Sequence, residues 1–125
     1  MAAILVDSSI WIDYFRNGND RMDRLIEEDL VVANDIILSE LIPALKLQNQ
    51  DEVIESLLSL NSIKLNIDWD LIREYQIINL RNGINKVGIP DLIILQQAIE
   101  ENLYLFSQDK HFKLMQNHFD FKIFE

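Results

Sequence analysis

The sequence predicts a single α/β domain in which helices flank a mostly parallel sheet of four to five strands. Short, wholly apolar segments such as residues 3–6 and 103–106 are typical of strands that are buried on both faces, as in parallel sheets. Longer segments with helical periodicity separate them, and strands that alternate with helices indicate parallel βαβ units. The 125 residues suffice for one such domain, 1–125, and are too few for two ordinary ones.

The first half of the chain predicts two strands and four helices. In order, these are a strand at 3–6, a helix from Ser8 or Ser9 to Phe15, a helix at 20–28, a strand at 30–33, a helix at 35–47 and a helix from Gln50 or Asp51 to Leu60. Ser8 or Ser9 and Asn34 or Asp35 stand directly before helical segments, where short polar side chains cap free N–H groups. Gly18, after Asn17, is a typical helix stop.

The second half predicts three more strands and three more helices. In order, these are a strand at 62–67, a helix at 68–80, a helix from Pro90 to about Asn102, a strand at 103–106, a helix at 109–117 and a strand at 121–124. Pro90 stands in the first turn of its helix, where its missing N–H costs nothing. The carboxyl ends of such strands are where an open α/β sheet binds its ligands.

The composition narrows the classes of function. Asp and Glu number 21 against 11 Lys and Arg, a net charge of −10, which disfavours nucleic acid without excluding it. Cations bound to a carboxylate cluster offset its negative charge, so the net charge of the bare chain is a poor guide to nucleic-acid binding in such proteins. The absence of Cys excludes disulfides, Cys-type zinc sites and a thiol nucleophile. The sequence has no basic leader and no apolar run of membrane-spanning length, so we expect a cytoplasmic protein without membrane contact.

Two aspartates follow predicted strands. Asp7 comes directly after the first strand, and Asp109 follows the strand at 103–106 after Ser107 and Gln108. Aspartate at such a position commonly caps the next helix, and that structural interpretation stays open for both residues. The alternative is that both carboxylates serve a site at the carboxyl edge of the sheet.

Two further acids lie on predicted inward faces of helices. Glu40 shares a helical face with Ile36, Ile37, Ala44 and Leu47, and Asp91 with Ile94, Leu95 and Ala98. A buried carboxylate needs a cation or hydrogen-bond donors, so Glu40 is either a ligand or one half of a core ion pair. Asp91 also suits the positive end of a helix dipole, which keeps the carboxylate ionised as a metal ligand requires.

One site explains all four acids together. Asp7, Glu40, Asp91 and Asp109 can meet at one edge of the sheet, and carboxylates without Cys or His select Mg²⁺ or Mn²⁺. Such a site is suited to hydrolysis of phosphate esters, and a bound cation should stabilise the fold by relieving the repulsion. Ser9 and Ser107 are candidates for orienting ligands or water, or else are simple capping hydroxyls.

Three segments carry a resemblance to a known family. They are ILVDSSIWIDYFR with Asp7, NDIILSELIPAL with Glu40, and GIPDLIILQQAIEENLYLFSQDKHF with Asp91 and Asp109. In order, spacing and total length, the chain resembles the PIN-domain ribonucleases, particularly the VapC-type toxins of toxin-antitoxin pairs. The resemblance implies an endoribonuclease dependent on Mg²⁺ or Mn²⁺, in which the four acids bind metal and activate water. It also implies a homodimer and a cognate antitoxin whose C-terminal segment fills the acidic groove.

RNA contacts are harder to assign from sequence. Arg81 and Lys86, which flank a loop with Gly83 and Gly88, are the better candidates for phosphate contact. The two histidines, His111 and His118, have no partner at ligand spacing, and we interpret them as surface or capping residues.

Other functions remain open at this point. A receiver-type signalling domain has similar length and acidity, with Asp68 as the phosphoacceptor and Lys110 as the lysine, but it leaves Glu40 and Asp91 unexplained. A haloacid-dehalogenase phosphatase needs a second acid two positions after Asp7, where the chain has Ser9. A PIN-fold nuclease of RNA maturation that is not a toxin, and a PIN-fold protein that only binds a partner, are further alternatives.

Overall fold

The computed structural model describes residues 2–125, which form a five-stranded sheet flanked by seven helices within that range. The strand order is β3-β2-β1-β4-β5, and every pairing is parallel. The predicted α/β fold class is confirmed. None of the helices in residues 2–125 is long and apolar enough to cross a membrane.

The elements follow the predicted order closely. They are β1 (Ile4–Val6), α1 (Ser8–Asn17), α2 (Asp20–Glu27), β2 (Val31–Ala33), α3 (Asp35–Leu47), α4 (Asp51–Leu58), β3 (Asn61–Ser62), α5 (Trp69–Arg81), α6 (Ile89–Glu100), β4 (Tyr104–Phe106), α7 (Lys110–Met115) and β5 (Lys122–Ile123). The capping predictions hold for Asn34, whose side chain accepts the N–H of Ile37, whereas Asp7 takes the capping position before α1.

The centre of the core is the strand that the apolar run at the start of the chain predicts. All three residues of β1 are fully buried, between β2 on one side and β4 on the other. Helix α6 packs on the sheet through a continuous buried stretch from Leu92 to Ala98. Because polar strand residues would be costly here, the wholly apolar strand sequences follow from burial on both faces.

The third strand is shorter than predicted. Only Asn61 and Ser62 pair with β2, and the rest of the predicted strand at 62–67 is irregular. In this irregular segment, the buried side-chain amides of two α6 residues donate hydrogen bonds to the backbone carbonyls instead of a neighbouring strand. The Gln97 side chain donates to the carbonyls of Ile63 and Lys64, and Gln96 donates to that of Asn66.

The strand order places the site and removes one alternative. After β1 the chain builds β2 and β3 on one side and then β4 and β5 on the other, so the order reverses between β1 and β4. Ligands of open α/β sheets bind outside the carboxyl ends of the strands at such a reversal. A receiver domain has the order 2-1-3-4-5, with its third strand inside the sheet. Because β3 lies at the edge here, the receiver interpretation is wrong.

Candidate active site

Asp7 occupies the reversal point at the end of β1. Asp7 is only 6% exposed. One of its carboxylate oxygens, Oδ1, accepts the N–H of Ser8, the first residue of α1, at 2.9 Å. The other oxygen, Oδ2, accepts the hydroxyl of Ser107 at 2.7 Å and that of Ser9 at 3.4 Å. Burial is tolerated because these donors satisfy the carboxylate. The structure therefore places both candidate serines against Asp7.

Asp109 lies beside Asp7, at the end of the neighbouring strand. It caps α7, with its Oδ1 accepting the N–H of His111 at 2.9 Å. Its own N–H donates to the Ser107 hydroxyl at 3.0 Å, so one serine bridges the two aspartates. The capping interpretation and membership of the acidic cluster hold together for Asp109.

Asp91 faces the other acids from the first turn of α6. Burial raises the pKa of Asp91 to about 6, and the negative charges of Asp109, Asp7 and Glu40 add to the effect. His111 acts in the opposite direction. Charges act on one another this way only at short range, so the structure brings the four predicted acids to one edge of the sheet.

Glu40 lies at the rim of this cluster, and the prediction that it faces inward among apolar residues is wrong. On its side of α3, Ala44 is exposed and Leu47 is 86% exposed. The buried face of α3 is instead the set Ile37, Leu38, Leu41 and Leu45. Glu40 as a whole is exposed, yet its carboxylate is partly enclosed, and this burial and the charge of Asp7 raise the pKa of Glu40.

The donor set fits a hard divalent cation. All four side chains offer carboxylate oxygens, and in residues 2–125 no Lys or Arg forms an ion pair with any of them. Within the same residues, no three His, Asp or Glu side chains lie close enough together to hold an ion as they stand. Binding would therefore require some of the acidic side chains to rotate towards the ion, and Glu40, the exposed one of the four, is the least enclosed.

His111 belongs to the site, contrary to the prediction that it is a plain surface or capping residue. Its Nδ1 lies 3.1 Å from Oδ1 of Asp109, and the side chain is 24% exposed. The signal in the sequence was its position two residues after a helix-capping aspartate, where the backbone brings both side chains together.

The two predicted phosphate contacts form no hydrogen bond or ion pair with the acids in the described residues. Arg81 ends α5 and Lys86 lies in the following loop, and both are exposed. Lys86 has a positive φ of 66°, in the left-handed region. In the described part of the chain neither residue forms an ion pair, and neither contributes to the pKa shifts of the acids.

Two largely apolar cavities lie along α1, and Glu40 lines one of them. A cavity of about 180 Å³ is lined by Ile12, Phe15, Arg16, Glu40, Leu41, Ala44, Leu45 and Gln48. A second cavity, of about 330 Å³, is lined by Trp11, Tyr14, Phe15, Ile26, Val53, Ser56, Leu57 and Leu60. Phe15 lines both cavities and Glu40 lines the first, and we refer to the two cavities together as the apolar groove.

The family model described as "PIN domain" matches residues 4–117. Because the match spans most of the chain, this chain belongs to the PIN domain family. A search of curated proteins finds no sequence that matches significantly.

Solved structures with the same fold include toxin-antitoxin proteins. VapBC-1 of nontypeable Haemophilus influenzae has a TM-score of 0.77 at 19% identity, covering 98% of this chain and 97% of that one. A toxin-antitoxin complex from Klebsiella pneumoniae has 0.63 at 25% identity, covering 86% and 88%. VapC20 of Mycobacterium tuberculosis, described as a toxin that cleaves the sarcin-ricin loop, has 0.60 at 14% identity, covering 90% and 94%.

Proposed function

We propose that this protein is an endoribonuclease that hydrolyses RNA phosphodiester bonds with Mg²⁺ or Mn²⁺ held by Asp7, Glu40, Asp91 and Asp109. The observation that carries the proposal is the cluster itself, in which burial and then the like charges of Asp109, Asp7 and Glu40 raise the pKa of Asp91 to about 6. A fold that keeps such repulsion without a basic partner for Asp91 is suited to a cation. Membership of the PIN domain family supports nuclease chemistry on this site.

Two of the proposed ligands are held in place by hydrogen bonds, and the other two are not. Asp7 is held by the hydroxyls of Ser107 and Ser9, and Asp109 by the N–H of His111, so these carboxylates are oriented in advance. Glu40 and Asp91 lie opposite them on α3 and α6 and would close the coordination. A cation bound there would lower the pKa of the attacking water and stabilise the charge on the phosphate oxygens.

Loss of one central carboxylate should abolish cleavage. We expect purified protein to cut single-stranded or structured RNA with Mg²⁺ or Mn²⁺ and to stop with EDTA. Asp7→Asn and Asp91→Asn should each lower the rate by more than about 100-fold, since even groups that only support ligands contribute about 10–100-fold. The measurement is the rate of product formation on labelled RNA.

The matched control is Asp70→Asn, which removes an acid whose side chain is 94% exposed on α5 and paired only with Arg73. This variant should cleave like the unchanged protein. Equal activity of Asp7→Asn and Asp91→Asn with the control would reject the assigned site, and a metal-independent cleavage would reject the proposed chemistry.

We also propose that the protein is a cytoplasmic toxin, that it forms a homodimer and that a cognate antitoxin restrains it. The toxin-antitoxin complex from Klebsiella pneumoniae supports this role by its fold and its description. Expression of the chain alone should then arrest bacterial growth, and Asp7→Asn should relieve the arrest. A nuclease of RNA maturation would leave growth unaffected. Light scattering of the purified chain tests the homodimer.

The apolar groove is the surface we assign to the antitoxin. It combines exposed apolar residues of α1 with the charged side chains of Arg16 and Glu40, so it fits a C-terminal segment with apolar anchors. Phe15, 37% exposed and common to both cavities, should be its centre.

Phe15→Glu should therefore weaken the complex with the co-expressed antitoxin by at least about 10-fold, because a charge replaces a central apolar anchor. Ile77→Glu changes an apolar residue on α5 that is 42% exposed, outside the groove, and is the control. Calorimetric titration of the purified partners measures both. Unchanged affinity for Phe15→Glu would place the antitoxin elsewhere.

The phosphate contacts stay a prediction for Arg81 and Lys86. Charge reversal at both should raise the KM for RNA and leave kcat unchanged, because neither residue acts on the pKa of Glu40 or Asp91.

A further inference from the structure

Residues of β4, α7 and β5 line a cavity of about 290 Å³. This volume is close to the lower end of the range of pockets that hold small ligands, about 300–1,000 Å³. Among the described residues, the cavity shares no lining residue with the apolar groove. Asp109, one of the four proposed metal ligands, does line it. A molecule in this cavity therefore contacts a residue that would hold the cation.

Part of the cavity wall is basic. Lys110 and Lys113 both line the cavity, and they are three positions apart on α7, so they lie on one face of the helix. Lys110 is exposed and forms no ion pair within residues 2–125. Nζ of Lys113 lies 3.7 Å from Oε1 of Glu125, and both side chains are largely exposed. Because an exposed pair of this kind is weak, both ammonium groups are accessible to an anion.

Two acids, Asp109 and Glu125, also line the cavity. The charge of Glu125 is offset by Lys113. The charge of Asp109 would be offset by the cation of the proposed site. With the cation bound, the cavity therefore carries positive charge next to the position where a phosphate would be attacked.

The rest of the wall is largely apolar and includes the half-buried ring of Phe124. The centroid of this ring lies 4.5 Å from Cζ of Arg21 and 5.1 Å from the ring centroid of Phe106. These contacts hold the ring in place. A base that packs on a fixed aromatic ring gains stacking energy with little loss of side-chain entropy.

We propose that this cavity binds one nucleotide of the RNA substrate beside the scissile phosphate, with Lys110 and Lys113 on its phosphate and Phe124 on its base. A nucleotide combines an anion with a flat apolar surface, and the cavity offers a partner for each. The inference rests on the proposed function, since it needs cleavage at a cation held by Asp109.

Neutralising either lysine should weaken RNA binding without changing the chemical step. Lys110→Gln and Lys113→Gln should each raise the KM for single-stranded RNA about fourfold near 0.15 M KCl, with kcat unchanged, and each should lower the slope of log KM against log[KCl] by about 0.7. Initial cleavage rates at several KCl concentrations measure both. Lys64→Gln is the matched control, an exposed lysine that follows β3 at the opposite edge of the sheet from β5.

The pairing of Lys113 with Glu125 provides a change in the opposite direction. Glu125→Gln removes the competitor for Lys113 and should lower the KM by up to about fivefold. Glu74→Gln, at an exposed acid of α5, is its control and should leave the KM unchanged.

The aromatic contact is tested at position 124. Phe124→Leu should raise the KM at least about fivefold, whereas Phe124→Tyr, which keeps the ring, should stay within about threefold of the unchanged protein. Thermal unfolding in EDTA checks that both variants are folded, and the lysine variants test the subsite independently of this position.

Two results would overturn the subsite while the unchanged protein cleaves RNA and EDTA stops it. One is a KM of Lys110→Gln and Lys113→Gln equal to that of Lys64→Gln. The other is weaker binding of the antitoxin by these variants with an unchanged KM for RNA, which would make the cavity a protein contact. If the unchanged protein cleaves no RNA, the proposed function fails first and the inference with it.

Discussion

At the residue scale, Asp91 is a carboxylate whose ionised form a bound cation would stabilise. Its ordinary pKa of 3.8 rises to about 6, because burial and the charges of Asp109, Asp7 and Glu40 disfavour the ionised form. The folded protein therefore binds this proton more tightly than the unfolded chain does. Without metal, ionised Asp91 lowers stability at pH values above about 6, and the penalty disappears as the pH falls towards 3.8.

Metal-free Asp91→Asn should consequently be more stable than the unchanged protein at neutral pH. The difference should shrink as the pH falls from about 6 towards 3.8, because both proteins then carry a neutral side chain at position 91. Thermal unfolding in EDTA across this range measures it. A difference that is independent of pH would mean that Asp91 titrates alike in the folded and unfolded chains.

The sequence predicts individual site residues where one local feature places them. Asp7 and Asp109 each follow a strand that is recognisable by itself, and Asp91 follows a proline that marks the start of a helix. Glu40 could not be placed this way, because its surroundings depend on neighbouring elements. The apolar residues around Glu40 did not show that the end of α3 at Leu47 would be left exposed.

At the element scale, buried amides connect the helices that carry the acids. Asn34 caps α3 with its Oδ1, and its Nδ2 donates to Oε1 of Gln97 on α6 at 2.7 Å. The amide nitrogen of Gln97 then donates to the backbone of Ile63 and Lys64. Because Glu40 is on α3 and Asp91 on α6, this network sets their relative position.

Gln97→Met should lower the free energy of unfolding by about 1–3 kcal/mol, since it leaves the buried amide of Asn34 without its acceptor. It should also weaken Mn²⁺ binding, because α3 and α6 lose their connection. Denaturant unfolding and calorimetry measure the two effects. The control is Gln50→Met, an exposed glutamine before α4 whose side chain makes no capping hydrogen bond. Unchanged stability in Gln97→Met would contradict the role of the network.

The third strand illustrates why element boundaries were less predictable. The alternating residues at 62–67 suit a half-buried strand, but only Asn61–Ser62 pairs with β2. Strand length here depends on the glutamines of α6, which satisfy the backbone from 30 or more residues further along the chain. Local periodicity carries no information on such a partner.

At the scale of the whole molecule, the sheet topology and the net charge together determine the electrostatic potential at the candidate site. The reversal between β1 and β4 brings Asp7 and Asp109 side by side, and the helices bring Asp91 and Glu40 to the same edge. A chain with a net charge of −10 then concentrates negative potential where an RNA phosphate must approach. A divalent cation reverses the sign of the potential at that point, so the acidic composition and the RNA substrate are compatible.

The central claim is that one cation site is shared by carboxylates from separate elements. The most direct measurement is the anomalous scattering of crystals grown with Mn²⁺. We predict a peak between Asp7, Asp91 and Asp109, at about 2.0–2.2 Å from carboxylate oxygens, with Glu40 rotated towards it or bound through water. Crystals that show no peak at this edge of the sheet while Mn²⁺ is present, or a peak only at other acids, would contradict the account.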